Sequence, residues 1–259
     1  MRSMWKGSIG FGLVNIPVRL YVATEESNIS FVQLDRKDHS RVKYKKISEN
    51  SGRELQQQDI VRGYQMGDNY VIVDDQDMQK AMPEKYDHLE IVQFVNEKEI
   101  DPVYYEKPYY MEPDKIGARA YSLLREALKK EGKAGLGLLV YHNKEWLCLV
   151  KAQRKVLVLH RLRFSNEVRS EQGLVIPDTD IKAEELKMAS MLIAQLTKPF
   201  KADDWKDTYS EKLMKVIEAK AKGKTTGKPM KVVHNATTSD LMETLKASLR
   251  AKPAAKKAS

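Results

Sequence analysis

Apolar residues alternate with polar ones from the start of the chain. After Gly10-Phe11-Gly12, Val14, Ile16, Val18, Leu20 and Val22 fall on every second position, which predicts a half-buried strand over 8–23. Gly10 and Gly12 in that strand mark a bulge or a close backbone approach. From 29 to about 75 the chain is polar, with short strand-like runs at 29–34, 42–47 and 70–73. Asn50-Ser51-Gly52 and Met66-Gly67-Asp68-Asn69 are turn signals, so hairpins are expected between these runs. The stretch has too little apolar content for its own core and reads as an excursion that packs on something else. Strands resume at 89–95 and in the aromatic segment 102–111.

Pro113-Asp114 is expected to open a helix, with Ile116, Ala120, Leu123, Leu124, Ala127 and Leu128 at helical spacing and Gly132 as its stop. Lys129, Lys130 and Lys133 suit the negative end of its dipole. Three strands follow at 136–142, 146–151 and 156–164, the first two joined by a hairpin turn at His142-Asn143-Lys144. After Pro177 the pattern becomes helical. Residues 183–196 carry Leu186, Ala189, Ile193 and Leu196 on one face, and 211–221 carry Leu213, Val216 and Ile217. Residues 222–229 read as a linker. A last helix at 239–250 places Leu241, Leu245 and Leu249 four residues apart, with Asp240 and Glu243 as a capping box. Residues 251–259 lack any capacity to fold. The order of elements gives an α+β, β-dominated chain.

Composition narrows the function. The 259 residues carry a net charge of +9 and a pI near 9.3, which favours a polyanionic partner. No apolar run reaches the length that spans a bilayer, and the N-terminus lacks the apolar core of a secretory signal. The lone Cys148 excludes an internal disulfide and a multi-cysteine zinc site, so a reducing cytoplasm is the expected compartment. His39, His88, His142, His160 and His234 are scattered, and no phosphate loop, dinucleotide fingerprint or nucleophile elbow occurs. His160 reads as a satisfied structural histidine and Cys148 as a small buried hydrophobe. Asp74-Asp75, Glu184-Glu185 and Asp203-Asp204 either hold metal in a nuclease or serve helix starts and solvated faces. A non-enzyme with no cofactor and no metal is expected.

Positive charge is clustered. Arg36, Lys37, Arg41, Lys43, Lys45, Lys46, Arg53 and Arg62 crowd one stretch, where only Asp38, Glu49, Glu54 and Asp59 oppose them. Strand alternation puts Arg41, Lys43 and Lys45 in a row, either following a phosphate backbone or guarding a solvated edge. Lys220, Lys222, Lys224, Lys228 and Lys231 form a second acid-free run. Lys246, Arg250, Lys252, Lys256 and Lys257 form a third. Polycations of this kind bind duplexes through counterion release, and no base-reading module is visible.

Several strings resemble bacterial Ku, the DNA-end-binding family of non-homologous end joining. They are, in order, the segment 4–26, Ile60-Val61-Arg62-Gly63-Tyr64, Glu99-Ile100-Asp101-Pro102-Val103-Tyr104-Tyr105, Pro108-Tyr109-Tyr110-Met111-Glu112-Pro113-Asp114, Ala120-Tyr121-Ser122-Leu123-Leu124-Arg125-Glu126-Ala127-Leu128, 157–164 with Glu167-Val168-Arg169, Glu185-Leu186-Lys187-Met188-Ala189, and 240–249. The resemblance implies a Ku-type β-barrel core over 1–180 with an extended strand arm inserted at about 31–82. It further implies a C-terminal helical arm at 181–222, a linker at 223–237, a short helix at 238–250 and a basic disordered tail at 251–259. Two copies would form a ring whose arms close around duplex DNA, with specificity for ends set by threading. Arg36, Lys37, Arg41, Lys43, Lys45, Lys46, Arg53 and Arg62 would line the arm, and Lys252, Lys256 and Lys257 would add affinity. Leu241, Leu245 and Leu249 would recruit the ATP-dependent end-joining ligase (ligase D). A cytoplasmic, nucleoid-associated, non-catalytic protein is implied, with no membrane partner. One departure stands out: many relatives carry a CxxC pair where this chain has Ser48-Glu49-Asn50-Ser51. That removes any metal or redox role for the turn, and pairing alone is expected to hold it.

Overall fold

Seven strands close into a barrel in the order β1-β2-β6-β9-β8-β7-β5, with β5 returning to β1. They are β1 (Trp5–Phe11), β2 (Val14–Val22), β5 (His88–Asn96), β6 (Tyr105–Pro113), β7 (Lys133–Tyr141), β8 (Lys144–Gln153) and β9 (Val156–Leu162). The computed structural model describes residues 1–26, 29–81, 88–223 and 241–250. The chain forms two compact units, the first Met1–Glu26 with Phe31–Ser170 and the second Ser27–Ser30 with Glu171–Ser259.

The first apolar segment is a hairpin rather than the single strand its alternation predicts. Gly12 turns the chain at φ +57, a left-handed conformation that glycine takes without strain. Ile16, Val18 and Leu20 point into the core as expected, whereas Val14 beside the turn is exposed. Beside Gly10 lie side chains rather than another backbone: a Cβ there would lie 2.7 Å from Glu90 Oε2 and 2.9 Å from the His88 ring. β1 pairs with β5 in parallel, which requires a long crossover, and the polar excursion between β2 and β5 supplies it.

The barrel interior is filled by Ile9, Ile16, Val18, Leu20, Leu89, Met111, Leu139, Leu157 and Leu159. Helix α2 (Ala118–Glu131) packs onto this core through Tyr121, Leu124 and Leu128. It begins later than Pro113 suggests, because Pro113 is the last residue of β6 and a 3-10 turn at Lys115–Gly117 intervenes. Ile116 lies in that turn and is exposed. At about 100° per residue, Tyr121 rather than Leu123 completes the inward face. Buried Tyr121 ties the layers together: its hydroxyl donates to the Met111 carbonyl at 2.7 Å and accepts from the Leu157 N–H at 2.6 Å. Gly132 caps α2 at φ +61, as its position foretells, and His142 and Asn143 turn β7 into β8 with positive φ.

The second unit holds α3 (Ala183–Leu196), α4 (Thr208–Ala221) and α5 (Leu241–Arg250). α3 has the predicted bounds, and Glu185 accepts from the Lys182 N–H at its start. α4 begins three residues before the predicted 211 because the Asp207 carboxylate caps the Tyr209 and Ser210 N–H groups. No residue of α3 or α4 is fully buried. The predicted linker from 224 onward, the capping residue Asp240 and the tail lie outside the described residues.

Candidate nucleic-acid interface

Between residues 31 and 81 no side chain is buried; Ser48, Leu55, Ile60 and Val73 are only half-covered. The predicted strands at 29–34 and 42–47 do not form. Single bridges at Leu34–Arg41 and Ile47–Glu54 take their place. The arm's paired strands form the hairpin β3 (Arg62–Met66) and β4 (Asn69–Val73), turned at Gly67 with φ +63. Its strands pair only with each other. Cross-strand pairing gathers Arg62, Tyr64, Met66, Val71 and Val73 on one face, and Tyr64, Met66 and Val71 are exposed there.

The Ser48–Ser51 turn holds by backbone bonds. The Ser48 N–H donates to the Arg53 carbonyl, the Gly52 N–H to the Ser48 carbonyl and the Leu55 N–H to the Lys46 carbonyl, each at 2.8 Å. Arg36 and Lys37 sit in a tight turn: Asp35 accepts from the Lys37 N–H, and Asp38 accepts from the Ser40 N–H at 2.9 Å. Hydrogen bonds from Ser40 hold the Asp38 carboxyl below the usual carboxylate range.

All eight predicted arm cations are exposed, but they are not equivalent. Lys45 pairs with Glu54 at 2.8 Å and Arg62 with Asp75 at 2.7 Å, while Lys46 donates to Gln57 at 2.9 Å. Among the described residues no carboxylate pairs with Arg36, Lys37, Arg41, Lys43 or Arg53. Sequence reasoning missed α1 (Asp75–Lys80), where Asp74 caps the Asp77 N–H and Asp77 reciprocates. The Asp-x-x-Asp spacing was its signal. Asp74 and Asp75 thus have local structural partners. Glu185 serves the start of α3, and Asp203 and Asp204 lie in a 3-10 turn. Among the described residues no group of three or more histidine, cysteine or acidic side chains could hold a metal ion. No described helix is long and apolar enough to cross a membrane.

Of the other singled-out residues, Cys148 is fully buried, and burial pushes its thiol well above the ordinary value. His160 lies edge-on to the Tyr105 ring at 5.2 Å, but its Nε2 is buried without a hydrogen-bond partner, contrary to the satisfied histidine expected. Leu245 and Leu249 are half-buried on α5. The side chain of Leu241 and all of Lys252, Lys256 and Lys257 lie outside the described residues.

The family model described as the Ku70/Ku80 beta-barrel domain matches residues 10–188. The chain belongs to the Ku family. It is 37% identical to the Non-homologous end joining protein Ku of Coxiella burnetii, over 99% of this chain and 97% of that protein. The protein of the same name from Bacillus subtilis is 36% identical over 96% of this chain and 82% of its own length. That of Archaeoglobus fulgidus is 40% identical over 86% and 90%. The Ku match begins in the β1–β2 hairpin and ends within α3, so the arm lies wholly inside it.

Proposed function

We propose that this Ku-family chain binds the ends of double-stranded DNA during repair of breaks by non-homologous end joining. Two copies form a ring that threads onto a terminus without reading sequence, protects and bridges the ends, and catalyses nothing itself. Helix α5 recruits the ATP-dependent end-joining ligase (ligase D), and the basic tail adds affinity. The protein then works in the cytoplasm, on the nucleoid.

The observation that carries this reading is the arm, whose residues 31–81 bury no side chain of their own. Five exposed cations without acidic partners suit a phosphate backbone, whereas Tyr64, Met66 and Val71 on the hairpin face need protein to cover them. A second copy of the same arm meets the second need while presenting the first to DNA from both sides. Nothing in such an arrangement reads base edges, so selectivity for termini comes from topology.

Equal-sequence linear and covalently closed circular duplexes, compared by gel shift across a salt series, test the proposal. A threading ring retains the linear form and releases the circle. Equal affinity for both, or a chain that sediments only as a monomer, overturns the ring. Incubation with DNA and Mg²⁺ or Mn²⁺ is expected to leave the strands intact, and cleavage dependent on Asp74 or Asp203 would end the non-catalytic reading.

A further inference from the structure

Helix α5 has one apolar stripe, and that stripe is already covered. Met242, Leu245 and Leu249 recur at helical spacing and are half-buried, while Glu243, Lys246 and Arg250 are exposed. The covering element belongs to the same compact unit, for α5 lies against α3. On α3 the half-buried positions are Glu185, Met188, Ala189 and Leu192, a single helical face. Leu186 and Ile193, around the helix from that face, stay exposed at 61% and 67%.

We infer that α3 holds α5 in cis, so that a partner with a groove for the Met242–Leu245–Leu249 stripe must displace α3 to reach it. This rests on the reading of α5 as the ligase-recruiting helix, and it adds that recruitment is gated within the chain. A helix of ten residues has little stability alone, so α3 also serves as the surface that keeps α5 helical. Because α3 and α5 belong to one chain, α5 is presented to α3 at an effective concentration of about 1 mM. An intrinsic affinity of only about 0.1 mM then keeps roughly nine chains in ten docked, and the partner binds about tenfold more weakly than it would an undocked helix.

Thiol labelling of the full chain reads the docking, since Cys148, the single native cysteine, is fully buried. A cysteine introduced by Leu245→Cys is expected to react with a maleimide about tenfold more slowly than one introduced by Ala247→Cys on the exposed side. Leu192→Asp on α3, with Met188→Ala as a milder second variant, brings the two rates together and raises affinity for the end-joining ligase about tenfold. Equal labelling rates in the unsubstituted background overturn the docking. Ligase affinity that is unchanged or lowered once labelling shows α5 released overturns the gating. Failure of the underlying reading looks different: Leu249→Asp then leaves ligase binding intact, while the Leu245→Cys and Ala247→Cys chains that keep Leu249 still label at different rates, and gating falls although docking stands.

Discussion

Arg41 and Lys43 are the arm positions where loss of charge reads most cleanly, because neither is tied to a carboxylate among the described residues. Each cation that neutralises a phosphate contributes about 0.9 to the slope of log affinity against log salt. The double variant Arg41→Ala/Lys43→Ala therefore lowers the slope by about 1.8 if one arm touches DNA, and by about 3.6 if two copies present both arms. Between 50 and 200 mM salt, a slope change of about 1.8 alters the affinity ratio roughly twelvefold, well within reach of fluorescence anisotropy on a short linear duplex. Both substitutions are at exposed positions, so the melting transition should not move. A contrast comes from Lys45, held by Glu54 at 2.8 Å: Glu54→Gln frees it and should steepen the slope and tighten binding. An unchanged slope in Arg41→Ala/Lys43→Ala, or one equally reduced by charge removal on α2, would refute the arm as the DNA-contacting surface.

Three further outcomes follow from the barrel. Tyr121→Phe removes a buried hydroxyl bonded to both Met111 and Leu157 and should cost about 1–3 kcal/mol in urea denaturation, by leaving those backbone groups unsatisfied. Gly137→Ala would set a Cβ 2.1 Å from the Glu90 carbonyl oxygen, beside the bulge between β5 and β7, and should cost about 2–4 kcal/mol with loss of DNA binding on heating. Burial, and then Lys151, lower the pKa of His160 from 6.5, so in mild acid the unfolded chain binds the extra proton. Its contribution is full above that ordinary value and lost as pH falls through the folded one; His160→Phe should flatten the acid limb of urea midpoint against pH, and an unchanged limb would contradict the assignment.

Legibility in the sequence followed the range of the physics involved. Strands β5, β7, β8 and β9 were visible because each carries its own apolar pattern between turn residues, and α3 because its spacing is helical over its whole length. The β1–β2 reversal was not legible: Gly12 reads equally as a bulge within one strand, and only the pairing of Phe11 with Val14 shows that the chain turns back there. Likewise Leu123 and Tyr121 are both apolar neighbours on α2, and which one faces inward depends on where the helix begins. In the arm, the surplus of lysine and arginine was plain, but not which cations were committed to acids, since Arg62 and Asp75 are thirteen positions apart and meet across a hairpin and a cap.

Chain order, local periodicity and charge thus determined by themselves that this would be a β-dominated, basic protein with a coreless excursion and helices toward its C-terminus. Folding decided the rest. Closure of the barrel through a parallel β1–β5 pair, the exposure of the whole arm, the splitting of its cations into paired and unpaired, and the covering of α5 by α3 all arise from contacts between distant residues. Such contacts depend on where several elements come to rest at once, and no local run of residues encodes that.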